Sequence, residues 1–214
     1  IMKYLYNDNF EENFKDGYTV QPQTKKELAD IIKNTCKKKG WNCDLNFIDT
    51  SKITDMSLLF SDIPTCFGGY DLEKFNGDIS KWDTSNVTNM FSMFDGALFF
   101  NHPLNNWDVS NVTNMSFMFE EAKKFNQSLN NWNTSKVTSM TKMFCKAKSF
   151  NQPLDKWDTK NVNNSLGLSD MFKTAKNFDN KIPSLKNFEF KHFDDKCLSL
   201  GLSHKYAENH QHDF

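Results

Sequence analysis

The sequence predicts an α/β repeat solenoid of about five coils and a partial sixth. Each coil is expected to hold one short strand and one short helix, with a further helix closing the N-terminal end. Three observations lead there. Trp82, Trp107, Trp132 and Trp157 are each 25 residues apart. Phe75, Phe100, Phe125 and Phe150 keep that step, and each precedes an asparagine: Asn76, Asn101, Asn126 and Asn151. Val87, Val112, Val137 and Val162 repeat it again. Self-similarity at one fixed period of about 20–50 residues marks a stacked array rather than an ordinary globular core.

The array has an irregular copy at each end. Shifted back by 34 residues, Phe75–Asn76 falls on Trp41–Asn42, Trp82 on Ile48, Val87 on Ile53 and Met90 on Met56. The nine extra residues lie between Phe60 and Phe75. At the other end Phe150 maps to Phe178 and Trp157 to Leu185 with a step of 28. Atypical terminal copies suit an array whose end coils have one neighbour each. The chain divides into a segment 1–40 with a capping helix, a repeat region 41–185 with an insertion at 61–74, and a C-terminal cap and tail at 186–214.

Taken in order, residues 1–21 show no clear period. Thr24-Lys25-Lys26-Glu27 is a capping box, in which Thr24 accepts from a free backbone N–H and Glu27 reaches back. Leu28, Ile31, Ile32 and Thr35/Cys36 follow at helical spacing. Lys37, Lys38 and Lys39 suit the negative end of the helix dipole, and Gly40 suits the stop. The expected helix, about Lys25 to Lys39, would cover the first coil. Within a coil, Val112, Met115, Met118, Phe119 and Ala122 fit one face of a short helix, with Asp108 and Ser110 as capping candidates. Phe125-Asn126 would turn the corner, and Leu129 to Trp132 would run extended. Pro103 and Pro153 place strand starts at Leu104 and Leu154, because proline cannot donate to a ladder; the matching start in the last copy is Ile182, with Pro183 directly after it. Parallel pairing of successive coils would stack the tryptophans into a column and the asparagines into a ladder. Phe188, Phe190, Phe193, Leu198 and Leu200 would form the second lid.

Composition excludes several functions. Lys+Arg 26 balances Asp+Glu 27, and every one of the 26 is lysine. With no arginine for bidentate phosphate and base contacts, nucleic acid is not an expected partner. No apolar run reaches the length of about 20 residues that a membrane span needs. The start Ile1-Met2-Lys3-Tyr4 holds no signal-peptide core. The chain thus reads as cytoplasmic or as a mature segment whose export signal was removed. Cys36, Cys43, Cys66, Cys145 and Cys197 form no C-x-x-C pair, and their odd number argues against a full disulfide framework. A Cys36–Cys43 link is the short-range bridge to test. Cys145 replaces Asp95 and Glu120 of neighbouring coils and is expected to be exposed.

No catalytic, cofactor or metal site is expected. Asp83, Asp108 and Asp158 recur after tryptophan and could suggest a calcium ladder. Asn133 interrupts them and no glycine-rich ligand loop is present, so structural capping explains them better. His204, His210 and His212 lie in a polar tail without ligand partners. No nucleophile elbow or phosphate-cradling loop occurs; Gly68-Gly69 is an isolated pair.

Two surfaces stand out. The polar strand face varies between coils and includes Lys81, Asn106, Asn131 and Lys156; an array presents such a face for binding. Phe91, Leu98, Phe99 and Phe117 occupy positions where other coils carry serine, threonine or lysine, so they are expected to emerge as an apolar patch. Either the insertion folds over them through Ile63, Phe67, Tyr70 and Leu72, or they are a partner or weak dimer site.

The words WDVSNVTNM, MFEEAKKFNQSL and DLNFIDTSKITDMSLLF resemble the BspA-like leucine-rich-repeat proteins of bacteria. More narrowly, they resemble the mycoplasma-type 25-residue repeat long filed as a domain of unknown function. The likeness covers roughly 41–185 and includes the lead-in T-K-K-E-L helix and N-C-D-L-N. It implies a right-handed leucine-rich-repeat-like coil and a surface or secreted role in adhesion or host interaction. It carries over no catalytic residues. The expected function is therefore a non-enzymatic protein-interaction module with a protein partner, which the resemblance implies to be a host protein. An intracellular scaffold is the first alternative, and an enzyme with its site in the insertion or tails is the second.

Overall fold

The computed structural model describes residues 20–61, 72–163 and 165–182, together with Cys197, 199–202, Tyr206 and Asn209. The calls on Ile63, Cys66, Phe67, Gly68-Gly69, Tyr70, Pro183, Leu185, Phe188, Phe190, Phe193, Leu198, His204, His210 and His212 lie outside these residues.

An α-helix, α1, runs Lys25–Lys39. Thr24 Oγ1 accepts from Glu27 N–H at 3.2 Å, and a Glu27 carboxylate oxygen accepts from Gln23 N–H at 2.7 Å. Gly40, at φ 85, ends the helix and donates its N–H to the Cys36 carbonyl. The helix buries Leu28, Ile31, Ile32, Thr35 and Cys36. Lys25 Nζ ties its first turn to Asp55 and Ser57, at 3.2 and 2.6 Å.

The coils themselves correct the expected α/β architecture. Among the described residues there is no strand, and between α1 and Ile182 only two 3₁₀ turns occur, Leu72–Lys74 and Ser165–Leu168; Cys197, Ser199, Tyr206 and Asn209 are helical as well. The segment expected as a helix is a chain of β-turns. In coil two, Met93 N–H donates to Met90 C=O, Asp95 to Ser92, Ala97 to Phe94 and Phe100 to Ala97, at 3.0–3.3 Å. Peptide groups left over between turns bond to the next coil instead. Ser92 N–H donates to Ser116 C=O, Phe94 to Met118 and Gly96 to Glu120, each at 2.8–2.9 Å. The same ladder joins Phe117 to Thr141, Phe119 to Met143 and Glu121 to Cys145. A helix would close these groups within its own coil and leave none for a neighbour. The segment expected as a strand is also a turn: Trp107 N–H returns to Leu104 C=O at 3.1 Å, and Trp132 N–H to Leu129 C=O at 3.0 Å. Asn105-Asn106 and Asn130-Asn131 at its centre are favourable turn residues. Parallel pairing survives as isolated bridges, Asp55 to Asn89, Asn89 to Asn114 and Asn114 to Ser139.

Columns of identical side chains fill the interior. Phe75, Phe100, Phe125, Phe150 and Phe178 stack at 5.8–6.1 Å. Phe60, Phe94, Phe119, Phe144 and Phe172 form a second column at 5.3–5.8 Å. The two columns interlock, with Phe119 lying 4.1 Å from Phe125. Trp82 stacks on Trp107 at 6.5 Å, and Trp132 on Trp157 at 6.2 Å. Each indole N–H donates to the coil before it: Trp82 to Leu45 C=O, Trp107 to Ile79, Trp132 to Leu104 and Trp157 to Leu129, all at 2.9–3.1 Å. A buried polar edge is thereby satisfied at every step.

Candidate functional site

The repeated polar residues are largely engaged in holding the coils. Asp49, Asp83, Asp108, Asn133 and Asp158 each accept a hydrogen bond from the backbone N–H two residues on. They are Asx turns rather than helix caps, because no helix follows them. Hydrogen bonds from Ser51 and Ser110 hold the Asp49 and Asp108 carboxyls below their ordinary range. Thr84 and Thr134 hydroxyls donate to the carbonyls of Asp108 and Asp158 in the next coil, both at 2.9 Å. The asparagine ladder is continuous: Asn101 N–H donates to Asn76 Oδ1, Asn126 to Asn101, Asn151 to Asn126 and Asp179 to Asn151, at 2.9–3.0 Å.

What remains is the face where coils differ. Lys81, Asn106, Asn131 and Lys156 are all exposed. They sit on or beside turns that stack coil on coil, as Lys156 N–H donates to Asn130 Oδ1 at 3.0 Å. Lys81 N–H donates to Asn46 Oδ1 at 2.8 Å, and Asn130 Nδ2 to Asp155 Oδ1 at 3.0 Å. The face is a row of amide and ammonium groups able to bond a polar partner.

The apolar candidates separate by environment. Phe91 and Phe117 are half-buried and meet edge to face at 5.4 Å, with Lys142 Nζ 5.6 Å above the Phe117 ring. Leu98 is half-buried, whereas Phe99 is 52% exposed.

Sequence reasoning missed one titratable cluster. Asp95 is buried at the position that Glu120 and Cys145 occupy in the following coils. Burial, then the Glu120 carboxylate, pushes its carboxyl up to about 7, although the Ser92 hydroxyl donates to it at 3.3 Å. A raised carboxyl is a recurrent mark of an acid–base site, but here repetition alone stacks one acid on another. Cys145 is buried rather than exposed: its turn stacks on the preceding coil, whose Glu121 N–H donates to the Cys145 carbonyl at 2.9 Å. Burial, then Glu120, pushes its thiol up to about 11. Cys36 and Cys43 are free, with buried sulfurs 3.5 Å apart. The hydrogen bond between them raises Cys36 and lowers Cys43.

Among the described residues no group of acidic, histidine or cysteine side chains could hold a metal ion, and no helix is long and apolar enough to cross a membrane. A family model described as a Mycoplasma protein of unknown function, DUF285, matches residues 26–132 and 62–185. No curated protein and no solved structure matches the chain.

Proposed function

The chain belongs to the DUF285 family of Mycoplasma proteins of unknown function, and from that premise we propose a non-enzymatic protein-interaction module of a bacterial surface or secreted protein, of BspA-like kinship. The observation that carries this reading is the exposed row Lys81, Asn106, Asn131 and Lys156. The side chains that every coil shares are engaged in turns and ladders, whereas this row varies from coil to coil. Variation on a rigid repeated frame is what a recognition surface needs. Phe99 adds an exposed aromatic group of the kind that anchors protein contacts.

The test has two parts. Antibody labelling of intact cells should reach the chain if it is displayed outside. The purified chain should bind at least one protein from a panel of extracellular host proteins in a direct binding measurement. Reversing both Lys81 and Lys156 to glutamate should weaken that binding at least about tenfold with an unchanged melting temperature, as for charge reversal at a recognition face. Binding unchanged by this double variant would remove the row from the interface. Labelling confined to permeabilised cells would overturn the surface assignment.

A further inference from the structure

Each coil turns one corner through a β-turn of the same build. Phe75 N–H donates to Leu72 C=O, Phe100 to Ala97, Phe125 to Ala122, Phe150 to Ala147 and Phe178 to Ala175, at 2.9–3.2 Å. A β-turn reverses the chain and holds its two central residues at the apex. Five apices therefore follow one another along one edge: Glu73-Lys74, Leu98-Phe99, Lys123-Lys124, Lys148-Ser149 and Lys176-Asn177. The phenylalanines that close these turns stack at 5.8–6.1 Å, which sets the step between apices. Lys124 N–H donates to Leu98 C=O, and Ser149 N–H to Lys123 C=O, both at 3.2 Å, so the edge is continuous there.

The edge is strongly one-signed. Lys74, Lys124, Lys148 and Lys176 are exposed and Lys123 is half-buried. Among the described residues its acids are Glu73 at the first apex and Asp179, one residue past Phe178. Ion pairs formed between described residues engage Lys25, Lys146, Lys160 and Lys173, and none of these engages Lys123, Lys124, Lys148 or Lys176. Phe99 is the exposed large hydrophobic residue among those described, and it stands at an apex beside the lysines.

We propose that this edge docks on an anionic lipid surface. A row of turn apices is convex, so it offers no groove to a peptide but can lie along a planar surface. Lysine ammoniums attract anionic headgroups, while their alkyl stems and an aromatic ring tolerate the headgroup boundary. Phe99 enters that boundary, and Lys123, Lys124, Lys148 and Lys176 face the headgroup charges. The proposal stands apart from the protein-partner reading, since lipid vesicles hold no protein and either can fail alone.

Co-sedimentation of the purified chain with vesicles tests it. The chain should pellet with phosphatidylcholine vesicles that contain about one-third phosphatidylserine and stay in solution with phosphatidylcholine alone. Binding should fall on raising salt to about 0.5 M, as screening shortens the reach of the charges. At about fivefold per lysine, the triple variant Lys123→Glu, Lys124→Glu, Lys148→Glu should lose at least about a hundredfold in affinity. Phe99→Ser should lose several-fold on the same vesicles. A control triple, Lys26→Glu, Lys52→Glu, Lys136→Glu, changes net charge equally and should lose much less. Melting curves of each variant establish that it is folded. Equal binding to neutral vesicles, equal losses in both triples, or binding to soluble polyglutamate without binding to anionic vesicles would each overturn the proposal.

Discussion

Eight non-glycine residues among those described hold a left-handed backbone. Leu58, Ser92, Phe117, Lys142 and Asp170 occupy one position of the coil, and Glu121, Lys146 and Thr174 occupy another. Gly96 fills that second position in coil two, at φ 75. The conformation costs an L-residue about 1–2 kcal/mol and is most adverse for a β-branched side chain. Thr174 at φ 57 is the case to relieve. Thr174→Gly should raise stability by about 1 kcal/mol, the gain being trimmed by the freer unfolded chain. The urea midpoint should move up with an unchanged slope; a lower midpoint would show that the threonine side chain contributes more than its strain removes. Asp95 tests a different term. Burial, then the Glu120 carboxylate, holds its folded carboxyl up at about 7, against an ordinary 3.8. The folded state therefore holds an extra proton between those values, and stability falls as pH rises through that window, then levels off. Asp95→Asn should abolish the fall. It should be near parity at pH about 4 and more stable by about 2–4 kcal/mol at pH about 8. The same difference at both pH values would show that the carboxyl's titration is not what the substitution removes.

At the scale of the element, the coil is a run of turns because its polar residues compete with regular structure. Asp108, Asn114 and Asn133 each take a backbone N–H two residues on. That closure is incompatible with a helix continuing through the same residues. Backbone chemical shifts over residues 112–122 should accordingly lack the unbroken helical run that α1 shows over its 15 residues. A helical run there would restore the strand-and-helix coil. The ladder between elements can be tested at Asn126, which accepts from Asn151 N–H at 2.9 Å and from Gln152 Nε2 at 3.2 Å. Asn126→Ala leaves a half-buried N–H without its partner and should cost about 1–3 kcal/mol. Asn126→Asp keeps the acceptor and should cost less; equal losses would mean the side-chain oxygen is not what matters. The period, the interior columns and the capping box of α1 were legible in the sequence, since each rests on spacing or on a local motif. The nature of the coil was not. Val112, Met115, Met118, Phe119 and Ala122 point inward from a chain of turns at the same spacing that a helix would need. The burial of Cys145 was hidden for a related reason: exposure was inferred from the charge of Asp95 and Glu120, yet Asp95 is itself buried. The exposed row at Lys81, Asn106, Asn131 and Lys156 was legible because variation between copies can be read by alignment alone.

Across the whole molecule, each coil bonds to the coil before it and the coil after it, so stability should be distributed as a chain of nearest-neighbour interfaces. Trp107 sits at one such interface, stacked on Trp82 and donating to the Ile79 carbonyl at 3.1 Å. Trp107→Ala removes the ring and one of the two donors to that carbonyl, which keeps Trp82 N–H, for an expected loss of about 3–5 kcal/mol. In a globular core the loss would lower protection everywhere alike. Here it should be felt first by amides bonded across the damaged coils, those of Ser92, Phe94, Phe117 and Phe119. The amides of Phe144 and Phe172, which bond onward to Met171 and Leu200, lie further along the column and should keep more of their protection. Native-state hydrogen exchange of wild type and variant reads both groups in one measurement. A graded loss, steepest around coil two and shallower toward Phe172, is the expected result. An equal loss at all these amides would mean that the stacked phenylalanine columns couple the coils into one cooperative unit, and the nearest-neighbour description would have to be given up.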